Sequence, residues 1–296
     1  MSFDLYFYKK KDNLLKEEDA AAYLTKNLTF NISKSTRQWD YENPETGVYF
    51  VIEWNKPDND LDFLEEFDEF TCMNFTFSLN FLRPRFFGLE SFPIIEKFVN
   101  DLDLFIYDPQ DFGENVTPQK FPKDYLKDEW IQHNDLVAID HFEEYQLKYM
   151  PVEKSNYLWW FQLHREELQS ILKEDIFVAG ILVLENKNDG LLHTVCVWPQ
   201  HIPVILPKVD YVIIKKAYKK FFKEVEESGL VPYDVIVDKL NNSFEVFEHD
   251  VPDLKVLRPE NADKIKKQFN ALKIECSTLD FGNMVEMDKF VNVRPK

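Results

Sequence analysis

Two pairs of residues have a spacing suited to metal ligation. His141 and Glu144, and His164 and Glu167, stand three apart in stretches of helical periodicity, so each pair shares a helix face and offers one nitrogen and one oxygen. A chain in which 30% of residues are charged produces such pairs by coincidence, and His164 lacks the second histidine one turn on that a zinc-protease helix requires. We assign no metal and no cofactor. Arg83 and Arg85 flank Pro84 ahead of Phe86-Phe87-Gly88, and two guanidinium groups at the end of a strand suit a carboxylate or phosphate. They are candidate anion-binding residues; the plainer reading pairs them with local acids such as Glu90. The densest acidic segment runs from Asp58 to Glu69 and supplies Asp60, Asp62, Glu65, Glu66, Asp68 and Glu69 as candidate partner-binding residues. Leu61, Leu64 and Phe67 recur every three residues within it, a spacing that anchors one side of a short helical turn and leaves the acids in water. A solvated connection between two strands explains the same residues.

Nucleophilic chemistry finds little support. His193 and Cys196 are three apart on an expected strand, which points their side chains to opposite faces. Seven glycines are scattered through 296 residues, too thinly for a phosphate-binding loop, and no Gly-x-Ser-x-Gly elbow is present. No catalytic residue is assigned. Cys72, Cys196 and Cys276 are odd in number and far apart, as expected of free thiols in a reducing cytosol.

Lysine and arginine total 35 against 53 acidic residues, a formal charge of -18, which repels phosphate backbones and anionic lipid heads. Nucleic-acid binding is disfavoured, whereas a basic protein would be steered inward. The opening residues lack a secretion signal, and no apolar run approaches the roughly 20 residues of a membrane span. The expected location is the cytoplasm, with no membrane contact. Hydrophobic residues make up 45% of the chain, enough for folded cores, and its length favours two of them.

The elements that must position these residues follow from periodicity. Phe75, Phe77, Leu79 and Phe81 alternate with polar residues, which predicts a strand. A helix is expected from Ser91, with Pro93 in its first turn, followed by a strand over 104–107. Upstream, Phe3–Tyr8 reads as a strand, Glu17–Leu28 as a helix and Gly47–Trp54 as a strand. The order βαββαβ predicts a ferredoxin-like domain over 1–110, with Tyr6, Tyr8, Tyr49, Asn74, Thr76, Ser78 and Asn80 on the uncovered sheet face. The third strand lacks the basic, glycine-rich signature of RNA-recognition domains.

Pro118, Pro122 and Gly113 make 111–123 a linker, and 124–296 is expected to form a second α+β domain. Its elements are helices over 124–150 and 154–173, a hairpin of 176–184 with 191–198, a strand over 211–214 and a helix over 215–228 closed by Gly229. Short strands at 235–237 and 244–247 and a helix over 260–272 complete it.

The stretches Ser2–Phe7, Asn80–Glu90 and Asp108-Pro109-Gln110 together resemble an uncharacterised family of bacterial cytoplasmic proteins, over residues 1–110. Acidic proteins of this kind are similar to immunity proteins of polymorphic toxin systems, and that resemblance implies binding to a toxin with no site residues carried over. The expected function is an acidic cytoplasmic protein-binding protein, such as an immunity-type inhibitor that occludes a basic toxin or enzyme. The alternative is an enzyme or small-ligand-binding protein with a site between the two domains.

Overall fold

A computed structural model describes residues 1–13, 15–27, 31–32, 37–55, 67–110, 117–173, 175–220 and 223–295. Helices and strands are mixed throughout, an α+β architecture. Two compact units form, Met1–Leu147 with Asp288–Lys296, and Lys148–Met287. The division after Leu147, rather than at 111–123, follows from the helix at 125–140, which packs back onto the first unit.

In the first unit the order is β1 (Ser2–Lys10), α1 (Glu17–Asn27), β2 (Asn31–Ile32), β3 (Gln38–Glu42), β4 (Tyr49–Trp54), β5 (Phe70–Asn80), α2 (Phe86–Asp101), β6 (Phe105–Tyr107) and α3 (Tyr125–Asp140). The antiparallel sheet runs β2-β3-β4-β5-β1-β6. Period-two alternation places Phe3, Leu5 and Phe7 of β1 and Phe75, Phe77 and Leu79 of β5 in the core, with Leu5 opposite Phe77. Phe92 and Phe98 of α2 meet Phe3, Phe77 and Phe7 edge-on, so α2 lies on that face.

Several expectations are corrected. The strand β3, which sequence reading left unassigned, pairs with β4 and buries Trp39. Helix α2 begins at Phe86 rather than Ser91, with Pro93 inside it. Burial of Phe86 and Phe87 favours the extra turn, and Asn292 Oδ1 accepts the Arg85 N–H at 2.7 Å. Asn74 leaves the uncovered sheet face. With φ of 56° it forms a bulge in β5, and its Nδ2 donates to Glu17 at the start of α1. Helix α3 ends at Asp140 and buries Leu126, Trp130, Asn134 and Ala138, a stripe at every fourth residue, while Leu136 and Ile139 are exposed. Gly88 allows α3 to approach, since a Cβ there would lie 2.8 Å from Trp130 Cε3.

The second unit contains β7 (Lys148–Tyr149), α4 (Val152–Leu172), β8 (Phe177–Val178), β9 (Ile181–Asn186), β10 (Leu192–Pro199), β11 (Val204–Leu206), β12 (Tyr211–Lys220), β13 (Lys223–Pro232), α5 (Tyr233–Leu240), β14 (Phe244–Val246), β15 (Lys255–Leu257), α6 (Pro259–Ala262), α7 (Lys266–Asn270) and β16 (Phe281–Met284). They build one sheet ordered β13-β12-β10-β9-β16 and another ordered β14-β15-β11-β8. The expected hairpin is present as β9 and β10, but its first strand is shorter than 176–184: Phe177 and Val178 form β8, which pairs with β11 in the other sheet.

The helix expected over 215–228 is instead a hairpin of β12 and β13. Val212, Ile214 and Lys216 alternate inward, and the basic strand faces an acidic one. Lys215 meets Glu226 at 3.0 Å and Lys216 meets Glu227 at 3.2 Å. The strand expected at 235–237 lies within α5, which buries Tyr233, Ile236 and Leu240 at helical spacing. The helix expected over 260–272 is broken into α6 and α7. Gly229 closes no helix; it lies in β13 where 274–276 cross, and a Cβ there would stand 2.4 Å from Ile274 Cγ2 and 2.9 Å from the Cys276 carbonyl oxygen. Gly229→Ala is therefore expected to destabilise the protein by about 1–3 kcal/mol through overpacking. An unchanged urea midpoint would show that the crossing segment gives way.

Candidate functional site

The sequence-derived candidates are dispersed. Arg83 donates through Nη2 and Nε to the Tyr49 hydroxyl at 2.6 and 3.1 Å, and lies 3.9 Å from Asp288. Its backbone is held on both sides by the Asn134 amide. Arg85 pairs with Asp135. Both guanidinium groups thus tie parts of the first unit together. Glu90 is not their partner: it is buried and accepts from Tyr41, Asn43 and Thr46 at 2.7, 2.8 and 3.1 Å. Asp60, Asp62, Glu65 and Glu66 lie outside the described residues. Asp68 and Glu69 are exposed, directly after Phe67, whose ring packs on Tyr8 and Tyr107 at 5.3 and 5.4 Å.

The His and Glu pairs are engaged separately. His141 Nδ1 is 2.8 Å from Glu144, and His164 Nδ1 is 2.8 Å from the Trp160 carbonyl oxygen. Among the described residues no group of three His, Cys, Asp or Glu is placed to hold a metal ion. The three cysteines are free, and complete burial of Cys196 pushes its thiol pKa far up, so it stays protonated.

A cavity of about 560 Å³ lies wholly within the second unit. The start of α4 contributes Glu153, Lys154 and Tyr157, and β10 contributes His193 and Thr194. The connection into β12 adds Lys208, Asp210 and Tyr211, the β13–α5 junction adds Tyr233 and Asp234, and Asp253 completes the rim. Helical spacing puts Lys154 and Tyr157 on one face of α4. The junction places Tyr233 at the start of α5 because Pro232 precedes it and its N–H donates to the Asp210 carbonyl at 3.1 Å.

Asp210 organises this wall. Lys154 Nζ donates to both carboxylate oxygens at 2.8 and 2.7 Å, and the Thr194 N–H and hydroxyl donate to Oδ2 at 2.8 and 3.1 Å. His193 Nδ1 stands 3.7 Å from the same oxygen, beyond hydrogen-bond distance. Burial raises the pKa of this carboxyl, but the His193 ring, Lys154 and the Thr194 N–H outweigh it and hold it down at about 2. The ring Nε2 of His193 is buried without a hydrogen-bond partner in the described structure. What remains accessible is aromatic and acidic. Tyr157 accepts the Lys208 N–H at 2.8 Å. Tyr211 and Tyr233 make no side-chain hydrogen bond among the described residues, although Tyr233 is only 6% exposed. Sequence reading missed this site because Lys154 and Asp210 are 56 residues apart; the signal available was the recurrence of Tyr beside Asp at 210–211 and 233–234.

Comparison with family models, with curated proteins and with solved structures finds no match to this chain. No helix among the described residues is long and apolar enough to cross a membrane.

Asp210→Asn is expected to cost about 2 kcal/mol of stability at pH 7, from the gap between the ordinary carboxyl pKa and the folded one. The folded value is depressed, so this contribution is complete above pH 4 or so and is lost as pH falls through about 2. Urea unfolding at pH 7, 5 and 3 should show the gap between wild type and variant narrowing towards acid. A constant gap would assign the loss to packing instead.

Proposed function

We propose that this chain is a binding protein whose second unit takes a small polar ligand in the cavity around Asp210. One observation carries this reading. Tyr233, only 6% exposed as a residue, lines a cavity of about 560 Å³ together with Tyr157, Lys154 and Asp210, and its hydroxyl makes no hydrogen bond among the described residues. The polar groups of the wall are held by Asp210 before any ligand arrives, which lowers the ordering cost of binding.

A second reading rests on charge. The formal charge of -18, with Asp68 and Glu69 exposed beside the aromatic anchor Phe67, supports capture of a basic protein, as an immunity-type inhibitor in a bacterial cytoplasm would capture a toxin. In this reading the first unit is ferredoxin-like: β4-β5-β1-β6 has the strand order that topology requires, with β2 and β3 added at the β4 edge. Tyr8 and Thr76 of the sheet face expected to be open are buried, so the docking surface of this reading is the partly exposed Tyr6 and Ser78 with the acidic run from Asp60 to Glu69, and it has no role for nucleic acid or membrane.

The readings separate experimentally. Soaking crystals of the full chain with small polar fragments of all charge types should place density in the Asp210 cavity; fragments found everywhere but there would remove the first reading. For the second, neutralising Asp60, Asp62, Glu65 and Glu66 together should slow association with a basic partner about tenfold or more at low salt and little at high salt. An unchanged association rate at low salt would remove steering by this segment.

A further inference from the structure

The charges around the cavity are unequally committed. Lys154 is bound by Asp210, and Lys208 lies 3.2 Å from Asp253, so each cation already has a carboxylate. Glu153 and Asp234 line the same cavity, are exposed, and form no ion pair or hydrogen bond among the described residues. The uncommitted charge is therefore negative. Three tyrosines share the cavity with it: Tyr157, Tyr211 and Tyr233, the last only 6% exposed. Aromatic faces carry negative potential and attract cations, and most strongly where water is partly excluded. Burial raises the pKa of each of these phenols, so their rings act as neutral faces at physiological pH. An anion would meet Glu153 and Asp234 with both lysines already neutralised. A neutral polyol would leave those two carboxylates uncompensated.

We propose that the cavity binds a small organic cation, an amine or quaternary ammonium, held against Tyr157, Tyr211 and Tyr233 and balanced by Glu153 and Asp234. This rests on the reading of the cavity as a ligand site and names the chemistry of its ligand. The net charge of the protein draws the same species inward from solution.

The test is calorimetric titration of the full chain with choline, tetramethylammonium and putrescine, alongside 3,3-dimethylbutan-1-ol as the neutral isostere of choline and butyrate as the anion. NMR shifts of Tyr157, Tyr211 and Tyr233 would report occupancy of the cavity. At least one cation is expected to bind about tenfold more tightly than the neutral isostere, with butyrate weakest. Asp234→Asn and Glu153→Gln, at exposed positions where folding should be retained, are each expected to weaken the cation by about three- to tenfold without weakening the isostere. Tyr233→Phe keeps the ring and separates the hydroxyl from the aromatic face. If the neutral isostere or butyrate binds the cavity as well as the cations do, the cation assignment is overturned while the ligand site stands. If no probe of any charge moves the three tyrosines, both fall.

Discussion

A charge withdrawn from water must be met by a partner, and that constraint shapes both units. Leaving an ionised group unpaired in a protein interior costs several kcal/mol, so a fold either excludes such groups or surrounds them. Asp210 is held by Lys154 and Thr194, and through them it joins α4, β10 and the approach to β12. Glu90 gathers Tyr41, Asn43 and Thr46, closing the turn between β3 and β4 onto α2. Lys9 is 3% exposed and donates to the carbonyls of Leu102 and Asp103, where the dipole of α2 favours a positive charge. Lys216 does the same for the Leu272 carbonyl. In each case the partners come from distant parts of the chain, so satisfying one charge fixes the relation of several elements.

Aromatic packing acts on the remaining space. A chain with 27 Phe fills its cores with large rings, and these leave room for backbone approach only where a side chain is missing. Gly88 admits Trp130 between α2 and α3, and Gly229 admits the segment that crosses β13. The glycines are few, and these two serve close approach within a compact unit rather than turns.

The cavity around Asp210 is what remains when that charge has been satisfied. Its carboxylate pairs with the nearby lysine and faces the His193 ring, and the other groups lining the cavity are chiefly phenols and rim acids. The net charge of -18 attracts cationic species from solution, within the range that salt screening leaves.

The sequence by itself determined the α+β class, the core strands β1, β4 and β5, helix α1 and the β9–β10 hairpin, because alternation and turn residues are local signals that burial reinforces. It also carried β3 in the alternation of Trp39 and Tyr41 with polar neighbours, a short signal that pairing with β4 makes decisive. Tertiary structure alone decided the rest. Lys215 to Glu227 has charges at spacings that suit a helix, yet its basic and acidic halves face each other across a hairpin, since pairing beside β10 buries Val212 and Ile214. Val235 and Val237 have strand propensity but stand in α5, where Tyr233, Ile236 and Leu240 share the buried face. Arg83 and Arg85 looked available because their partners Tyr49, Asp135 and Asp288 lie tens to hundreds of residues away. The Asp210 site was hidden for the same reason: charge pairing depends on distance in space, and only the folded chain brings Lys154 and Thr194 each within a hydrogen bond of Asp210.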